Sequence, residues 1–599
     1  MAGGPCGSGR ERGAVMGRST GSDLDDFIPT GWCIIIALAA FIVMLGYWGF
    51  SIAYAAAGEA HTANDLLYYT LQLFVLQSGG QVLINNWQLD VARFLAPLLT
   101  FSTLLIVLWM LMDRLRTIKL LFYPGHVVIC GCGYLGPSIA RHYLDRGVFV
   151  AIIERDPLNR EIEACRALGA EVFIGDATRE DLLKKARVHR ARDIFVVTGN
   201  DEVNTEIAMK CRDIAGNSRV RCHLHLEDPL LYRAFLLSTA RVDRHGAPFA
   251  MEFFNLYQIA GYCIQKEHPS FTAEEQSGST AHLLVLGLGR MGETLIVQTV
   301  KKWKKTSENS SRITVTCIDR DAERKRDLML WRHPSLAQYC DLKVVEMDLA
   351  SLEFQRGDFL CYGEEKPFSR VYICIDDSSI GVSTALTLNQ RPAFADVPIV
   401  VRSTHEDGIT RLFETFRTSP IFSNVFSFPL VASECCMEMI VGGSREILGR
   451  AIHEHYRELR IKDGSARDAD EAMKPWRELR SDLRESNRKQ ADQIRKKLAA
   501  IACSIAPLTD WDERPFTFSK EEIEMLAEME HERWMDERVA EGWTYGREKD
   551  VERKISPYLV PYVDLSEEIK EYDRVAVRII PALLARVDMK IVRLERGGD

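Results

Sequence analysis

The chain has 599 residues, with 75 Lys and Arg against 84 Asp and Glu, a net charge of −9 and 47% hydrophobic residues. This length predicts several domains, and the ordinary charge fraction excludes disordered, collagen-like and coiled-coil classes. The acidic excess and the lack of a long basic block disfavour a nucleic-acid partner. The unbroken apolar sequence lies near the N-terminus, which indicates a membrane part joined to a larger soluble body.

Residues 1–28 form a tail rich in Gly, Ser and Arg, which is predicted to be disordered. Two apolar segments follow within residues 29–112. The segments Gly31–Gly58 and Phe94–Met112 contain no charged residue, and each is long enough to cross a bilayer as a helix. Basic residues flank the pair, whereas the loop Glu59–Asp90 has neither Lys nor Arg. The positive-inside rule therefore predicts a multi-pass protein of the cell (inner) membrane, surrounded by lipid, with both termini in the cytoplasm.

The loop between the apolar segments carries a pore-like pattern. Residues Asp65–Phe74 indicate a short apolar helix that runs into Gln77, Ser78, Gly79 and Gly80. This order resembles the two-helix potassium-channel pore, in which backbone carbonyls replace the hydration shell of the ion. Ser78 stands where the family has its first filter glycine, and Gly79 where it has an aromatic residue. The departure favours a less selective or transiently open cation pore; the alternative is a hairpin with a structural role only.

A gating linker is predicted at residues 113–125, and the predicted strand His126–Cys130 follows it. A glycine-rich loop comes directly after this strand. The loop reads Gly-Cys-Gly-Tyr-Leu-Gly, and the next strand ends at an acidic residue, Glu154. This is the dinucleotide fingerprint in its required strand–loop–helix setting. A carboxylate suits a ribose diol and repels a 2′-phosphate, so NAD(H) or an adenine nucleotide is favoured over NADP. The candidate cofactor-binding residues are Gly131, Gly133, Gly136, Glu154, Arg155, Asp176 and Thr198.

The first Rossmann-like domain is predicted to cover residues 126–279. Its third predicted strand ends in the turn Gly175-Asp176-Ala177-Thr178. Here the chain resembles the regulator-of-potassium-conductance (RCK) domain, also called the TrkA-N or KTN domain. The resemblance implies an α/β Rossmann-like fold that binds NAD(H), adenine nucleotides or ions and assembles into gating rings below channels and transporters. The segment Phe253–Leu256 resembles the crossover of that family, which exchanges between paired domains.

The fingerprint recurs in residues 280–440, so two Rossmann-like domains are predicted in tandem. The candidate residues of the second copy are Gly287, Gly289, Gly292, Asp319 and Arg320. Met347 replaces the glycine of the GDAT-like turn, and an empty structural copy is the alternative, so nucleotide is expected at the first site rather than the second. Neither copy is followed by a substrate domain with a proton donor, which disfavours a hydride-transferring enzyme.

The last region, residues 441–599, is charged and predicted to be all-α. The motifs His531-Glu532-Arg533-Trp534, Gly542–Gly546, Leu559–Tyr562 and Glu571–Arg574 closely resemble the repeat domain named for ryanodine receptors, the RyR domain. Shared motifs, including His453-Glu454-His455-Tyr456, predict two half-repeats that pack as a pseudo-symmetric pair around a cleft.

Aromatic and Arg side chains of this region suit a stacked purine or a nucleotide phosphate. The candidate ligand residues are Trp543, Tyr545, Trp534, Tyr562, Arg574, Trp476 and Arg488. The alternative is that these aromatics form a small helical core, which is favoured for Trp534 and Tyr562. Trp543 and Tyr545, in a glycine-bounded turn, are the stronger ligand candidates.

Fifteen cysteines are spread through the chain, and they are expected to be reduced in the cytoplasm. Cys130 and Cys132 form a Cys-x-Cys pair inside the first glycine loop, but no second pair stands at zinc spacing, so no metal site is predicted.

The order of these parts predicts a multidomain membrane protein: a two-span pore-like hairpin, two RCK domains and a RyR-type module. Two spans cannot enclose a pore alone, so a homo-oligomer is expected, with a tetramer favoured. The favoured function is a ligand-gated channel for monovalent cations that binds NAD(H) or an adenine nucleotide and a second, nucleotide-derived ligand. The alternatives are a membrane-anchored nucleotide sensor without conduction and a pore-forming stress or defence effector.

Overall fold

The computed structural model describes residues 22–77, 86–242, 249–277, 281–306, 311–363, 368–403, 423–431, 433–462, 464, 470–508 and 516–594. The chain divides into two compact units between Tyr123 and Pro124. The predicted filter residues Ser78, Gly79 and Gly80 lie outside the described residues, whereas Gln77 lies within them.

The described part of the first unit contains three α-helices: α1 (Ser22–Ala57), α2 (Ala63–Gln72) and α3 (Trp87–Phe122). The stretches Cys33–Ala57 and Trp87–Leu108 are long and apolar enough to cross a membrane. Helix α3 extends well past the predicted second span, so residues 113–122 of the predicted linker are helical. The turn of chain between this helix and the second unit is therefore short.

Helix α2 is short and capped at both ends by local features. At its start the Thr62 hydroxyl accepts from the Asp65 amide at 3.3 Å, and Asp65 Oδ2 accepts from the Thr62 amide at 2.9 Å, which forms a capping box. A 3₁₀ turn, Leu73–Val75, follows it and ends at Leu76, whose φ is 60°. The helix therefore stops immediately before Gln77.

Helix α2 packs with α1 and α3 around a small apolar core. The buried side chains of this core are Ile42, Phe50, Tyr54, Leu66, Leu73, Leu89, Ala92 and Ala96. Helices α1 and α3 approach closely at Gly49, where a Cβ atom would lie 2.8 Å from the Leu89 amide nitrogen. Asn86 Nδ2 also donates to the Gly49 carbonyl oxygen at 2.8 Å. These contacts fix the hairpin around the short helix.

The second unit begins with a doubly wound α/β domain. Its strands are β1 (Val127–Cys130), β2 (Val150–Glu154), β3 (Glu171–Ile174), β4 (Asp193–Val196), β5 (Val220–His225) and β6 (Phe249–Phe254). Its helices are α4 (Gly136–Leu144), α5 (Glu161–Ala167), α6 (Glu180–Lys185), α7 (Asp201–Ala215) and α8 (Pro229–Val242). All neighbouring strands are parallel, in the order β3-β2-β1-β4-β5-β6, which is the dinucleotide-binding topology.

Two helices connect this domain to a second one of the same topology: α9 (Leu256–Glu267) and α10 (Ala273–Ser277). The second domain has strands β7 (His282–Leu286), β8 (Ile313–Asp319), β9 (Cys340–Glu346), β10 (Arg370–Ile373), β11 (Ile399–Ser403) and β12 (Val425–Pro429). Its helices are α11 (Arg290–Thr306), α12 (Ala322–Arg332), α13 (Leu336–Tyr339), α14 (Leu352–Arg356) and α15 (Ser378–Asn389). The parallel order β12-β11-β10-β7-β8-β9 repeats that of the first sheet. The prediction of two α/β domains in tandem is confirmed.

The two α/β domains share one apolar core through α9. Ile259 and Ile264 of α9 are buried in the same cluster as Ile129 of β1 and Val285 of β7. The next helix, α16 (Glu434–Lys462), adds Ile440 to this core and then breaks at Gly443, whose φ is 57°. The sheets are thus packed as a pair rather than held on a tether.

The C-terminal module has helices α17 (Ser481–Ala500), α18 (Lys520–Ala540), α19 (Glu567–Arg578) and α20 (Ile580–Arg586) in addition to the second part of α16. The all-α prediction is incomplete, since the module also has strands β13 (Cys503–Pro507), β14 (Thr544–Tyr545), β15 (Ile555–Ser556) and β16 (Met589–Arg593). Strand β13 pairs antiparallel with β16. Strands β13 and β16 each begin directly after a residue with positive φ, Ala502 and Asp588 respectively. Both strands are short, and the periodicity of a short apolar segment does not show whether it forms a strand or a helix.

Candidate nucleotide-binding sites

The first glycine loop joins β1 to α4 at the point where the strand order reverses, which is where this topology binds ligands. Gly131 has a φ of 107°, and a Cβ atom there would lie 2.8 Å from the Val197 carbonyl oxygen. A Cβ atom at Gly136 would lie 2.3 Å from the Gly131 carbonyl oxygen. A Cβ atom at Gly133 would meet nothing within 4 Å. Two glycines therefore serve the fold, and the third leaves open space beside the helix N-terminus.

The acidic residue of the fingerprint is bound to this loop. Glu154 Oε2 accepts from the Cys132 amide at 2.6 Å, and Glu154 Oε1 accepts from the Asp156 amide at 2.8 Å. Among the described residues no basic side chain pairs with Glu154. Its carboxylate is half-buried at the end of β2 and keeps acceptor capacity for a ribose diol.

The other predicted residues of the first site surround the same end of the sheet. Asp176 accepts from the amide and the hydroxyl of Thr178 at 2.9 and 2.8 Å. Burial opposes ionisation of Asp176, but these hydrogen bonds, with Arg155 as a weaker contributor, lower its pKa overall. The Thr198 hydroxyl donates to Asn204 Oδ1 at 2.7 Å, and Arg155 is exposed. Asp176 follows β3 and Thr198 follows β4, so both lie at the carboxyl end of the parallel sheet, as the glycine loop does.

The second glycine loop has the same backbone but a different charge environment. A Cβ atom at Gly292 would lie 2.1 Å from the Gly287 carbonyl oxygen, whereas one at Gly289 would meet nothing within 4 Å. Asp319 Oδ2 accepts from the Leu288 amide at 2.8 Å, as Glu154 does from Cys132. Lys325 Nζ, however, lies 2.7 Å from Asp319 Oδ1 and already neutralises this carboxylate.

The remaining predicted residue of the second site, Arg320, projects from the domain. Its side chain is 78% exposed and lies 3.9 Å from Asp348. Burial opposes ionisation of Asp319, but the Lys325 ammonium lowers the pKa of that carboxyl overall. The second loop therefore has the backbone of a nucleotide site with its acidic residue already paired.

Contacts between the two α/β domains involve residues that the sequence analysis did not identify. Arg290, in the second glycine loop, pairs with Glu227 of the first domain at 2.9 Å, and Glu227 also accepts from the Tyr257 hydroxyl at 3.1 Å. Arg402, at the end of β11, pairs with Asp376, and its guanidinium carbon lies 5.8 Å from the centre of the Tyr257 ring. The position of Arg290 inside a glycine loop could have indicated that it makes a functional contact. Nothing in the sequence around Glu227 indicated that it is the partner.

A cavity of about 250 Å³ adjoins the second glycine loop. It is lined by Leu288, Gly289 and Arg290, by Glu227 of the first domain and by Asp588 of the C-terminal module. Asp588 pairs with Lys301 of α11 at 2.7 Å. The C-terminal module therefore contacts the second α/β domain directly.

The two halves of the C-terminal module contain equivalent clusters. Each cluster joins a Glu, a His, an aromatic residue and an Arg: Glu446, His453, Trp476 and Arg488 in the first half, and Glu524, His531, Tyr562 and Arg574 in the second. His453 Nε2 lies 2.8 Å from the Lys474 carbonyl oxygen, and His531 Nε2 lies 2.8 Å from the Val560 carbonyl oxygen. Equivalent residues of the two halves thus make equivalent contacts, and the packing of the halves as a pseudo-symmetric pair stays a prediction.

The aromatic residue of each cluster is buried within the module. Trp476 and Tyr562 are 6% and 8% exposed, and each hydrogen-bonds the Glu of its own cluster, at 2.9 and 3.2 Å. Arg488 pairs with Glu446 at 2.6 Å, and Arg574 Nη2 lies 3.1 Å from Glu524 Oε2. Four of the seven predicted ligand residues are therefore occupied by contacts within the module.

Two of the remaining three, Trp534 and Trp543, lie against one Arg of the second half. The Arg538 guanidinium carbon lies 5.9 Å from the centre of the Trp534 ring and 5.2 Å from that of Trp543. Tyr545, two residues beyond Trp543, is 60% exposed. In the first half, the Arg460 guanidinium carbon lies 5.5 Å from the centre of the Tyr456 ring. Sequence analysis missed Arg538, which the spacing from Trp534 on one helix face could have indicated.

Within the described residues, no group of three or more His, Cys, Asp or Glu side chains is arranged to hold a metal ion.

Two family models match parts of the second unit. The TrkA-N domain matches residues 127–235, and the RyR domain matches residues 518–593. The chain therefore contains a TrkA-N domain in its first α/β fold and a RyR domain that covers the second half of the C-terminal module. The resemblances to both families are confirmed.

Curated relatives match through shorter stretches. "Potassium channel protein 1" of Methanocaldococcus jannaschii is 29% identical over 150 residues, which is 25% of this chain and 42% of the relative. "Glutathione-regulated potassium-efflux system protein KefC" of Cronobacter sakazakii is 36% identical over 81 residues, 14% of this chain and 13% of the relative. The chain spans less than half the length of these relatives.

Among solved structures, that of GsuK bound to ADP covers 70% of this chain and 99% of its own, at 15% identity and a TM-score of 0.36. The GsuK channel bound to NAD covers 72% of this chain and 86% of its own, at 12% identity and a TM-score of 0.37.

Proposed function

We propose that the protein is a homo-oligomeric, ligand-gated cation channel. The observation that carries this proposal is the order of the chain: two apolar helices with a capped short helix between them, followed directly by a pair of nucleotide-binding folds. The match to a protein named as a potassium channel supports it. A pore requires several copies because one chain supplies two spans, and a tetramer is favoured.

The proposed channel lies in the inner membrane with both termini in the cytoplasm. The apolar outer faces of α1 and α3, including the exposed side chains of Ile36, Phe94 and Leu104, suit contact with lipid. Ser78 and Gly79 depart from a potassium filter, so the pore is proposed to conduct monovalent cations with limited preference for potassium. The gating ring acts on α3, which continues as one helix to Phe122.

The first α/β domain is proposed to bind NAD(H) or an adenine nucleotide. Its support is the open space at Gly133, the helix N-terminus behind it and the unpaired acceptor capacity of Glu154. The pairing of Asp319 with Lys325 in the second domain supports preferential occupation of the first site. Ligand binding shifts the pore only by the difference in affinity between open and closed rings.

The RyR module is proposed to sense a second, nucleotide-like ligand beside Trp534, Trp543 and Tyr545. The support is that Arg538 lies against both Trp rings, where a purine and its phosphate would find an aromatic face and a cation. Replacement of Trp543 by Ala is expected to abolish this binding without unfolding the module, because Trp543 is only half-buried and its neighbours Gly542 and Thr544 are exposed. Trp476→Ala is the matched control that should destabilise the module instead.

Cation flux from proteoliposomes that contain the purified protein tests the proposal. Potassium and sodium are compared, each with and without ADP or NAD. The expected result is nucleotide-dependent flux of both ions. Nucleotide binding without any flux would contradict conduction and favour the membrane-anchored sensor.

A further inference from the structure

Two cysteine thiols meet beneath the first glycine loop. Cys132 Sγ lies 3.7 Å from Cys165 Sγ, and both residues are fully buried. Cys132 is the residue between Gly131 and Gly133, and Cys165 is on α5. The other cysteine of the Cys-x-Cys pair, Cys130, is buried in β1. The thiol nearest to Cys132 therefore belongs to Cys165 of α5, and the Cys-x-Cys spacing in the sequence does not indicate this partner.

The backbone of Cys132 is part of the proposed nucleotide site. Its amide donates to Glu154 Oε2 at 2.6 Å, and its carbonyl oxygen accepts from Asn159 Nδ2 at 2.9 Å. A disulfide bond requires the two sulfur atoms to approach to about 2.05 Å. Such a bond would pull Cys132 toward α5 and disturb the hydrogen bond that orients Glu154.

We propose that Cys132 and Cys165 form a reversible disulfide with a peroxide as oxidant, and that this bond weakens nucleotide binding at the first glycine loop. The inference rests on the proposed nucleotide site. The disulfide makes that site responsive to oxidants, so that both the redox state and the nucleotide concentration act on the channel through the same glycine loop.

The surroundings assign different roles to the two thiols. The hydrogen bond between the two thiols lowers the pKa of Cys165, with a smaller contribution from Arg141, although burial opposes this. The same hydrogen bond, burial and the nearby carboxylates of Glu154 and Glu161 raise the pKa of Cys132. In the proposed reaction Cys165 attacks the peroxide, because the Arg141 guanidinium favours the ionised form of this thiol.

The reaction balances with one peroxide. Cys165 sulfur bonds to one peroxide oxygen as the O–O bond breaks, and the leaving hydroxide takes a proton to become water. Cys132 sulfur then attacks the Cys165 sulfenic acid, the S–S bond forms as the S–O bond breaks, and a second water leaves. The two thiols lose two electrons and two protons, and a dithiol reductant reverses the reaction.

The second α/β domain provides an internal comparison. Leu288 occupies the place of Cys132 in its glycine loop, so that loop has no thiol to link. An oxidant effect on nucleotide binding is therefore expected at the first site alone. Both thiols of the pair are buried, so the reaction needs a transient opening of the loop and is expected to be slower in the presence of bound nucleotide.

The test uses the full-length protein in detergent, treated with hydrogen peroxide or left reduced. Peptide mass spectrometry detects the Cys132–Cys165 link, and calorimetry measures the affinity for ADP. The oxidised protein is expected to bind ADP about tenfold or more weakly, the change expected from one disturbed hydrogen bond to a charged group. A dithiol should restore the affinity. Cys165→Ala should bind ADP like the reduced wild type and not respond to peroxide.

The outcomes separate the inference from the proposed function. If the reduced protein does not bind ADP or NAD, the proposed nucleotide site fails, while the link can still be scored by mass. If the reduced protein binds nucleotide but peroxide gives no Cys132–Cys165 link, the inference is overturned. It is equally overturned if the link forms and the affinity is unchanged, or if Cys165→Ala retains the peroxide response.

Discussion

The backbone amide of Cys132 donates to the carboxylate of Glu154 at 2.6 Å. This hydrogen bond ties the first glycine loop to the acidic end of β2, so one contact orders both parts of the proposed nucleotide site. The equivalent contact in the second domain, from Leu288 to Asp319, is 2.8 Å long, but there Lys325 also binds the carboxylate. The two folds therefore present the same backbone with a different charge.

Gly133→Asp is predicted to abolish nucleotide binding at the first site. A Cβ atom at Gly133 would meet no protein atom within 4 Å, so we expect the fold to tolerate a side chain there. A carboxylate at this position would occupy the space of the pyrophosphate and repel it. Calorimetric titration with ADP measures the effect. Gly289→Asp, whose side chain is equally unhindered, is the matched control and should leave the first site intact.

Unchanged ADP affinity in the Gly133 variant, with a folded protein by circular dichroism, would contradict the assignment of the first site.

Glu154→Gln is predicted to weaken nucleotide binding by about tenfold, since it replaces a charged acceptor for the ribose hydroxyls by a neutral one. Asp319→Asn should have little effect because Lys325 already neutralises that carboxylate. The comparison is made by ADP titration of both variants. An equal loss in the two would show that the charge difference between the folds does not decide occupancy.

Asp573→Asn is predicted to reduce the stability of the RyR module at mildly acidic pH. Burial opposes protonation of His531, but Asp573, 3.4 Å away, and the Val560 carbonyl oxygen raise its pKa overall. A raised folded-state pKa stabilises the fold fully below the unfolded pKa of about 6.5, and this contribution is lost as pH rises through the folded value. The gap in melting temperature between wild type and variant should therefore be larger at about pH 6 than at about pH 8.5.

The first half of the module supplies a comparison for this pH effect. Burial lowers the pKa of His453, and Asn487 stands at the sequence position equivalent to Asp573. Below a pH of about 6.5 the unfolded chain protonates this imidazole more readily than the folded one does, so His453→Gln should cost less stability at about pH 6 than at about pH 8.5, the opposite trend to Asp573→Asn. A pH-independent gap for Asp573→Asn would contradict the charged state assigned to His531.

Lys497→Met is predicted to destabilise the module by about 3 kcal/mol, because it leaves a buried carboxylate without one of its cations. Lys497 and Glu530 form an ion pair in which the two side chains are 3% and 5% exposed. Adding Glu530→Leu should recover part of the loss, since Arg533 keeps Glu537 as a partner at 2.7 Å. Hydrogen exchange of the amides in α18 measures both variants. No recovery in the double variant would show that the pair is needed for more than charge balance.

Much of the fold could be predicted because its signals are local. The glycine loops at Gly131 and Gly287, each between a buried strand and a helix, define the two α/β domains by spacing alone. The half-repeats could be predicted because similar residues follow His453 and His531 in the sequence. These features depend on residues close together in the chain.

The contacts that could not be predicted join distant parts of the chain. The pairing of Arg290 with Glu227 and the approach of Cys132 to Cys165 depend on how helices pack, which neither periodicity nor spacing encodes. The RyR module was predicted to be all-α because β13 and β16 are short and pair with each other only across the whole module. The burial of Trp476 and Tyr562 in separate clusters has the same origin.

Recording from planar bilayers tests the central claim most directly. ADP or NAD is added to the side that carries the cytoplasmic domains, for the wild type and for Gly133→Asp. The account predicts cation currents in both, with a nucleotide-dependent open probability in the wild type only and the same unitary conductance in each. An absence of current, or an identical nucleotide response in the two proteins, would contradict a channel gated through the first glycine loop.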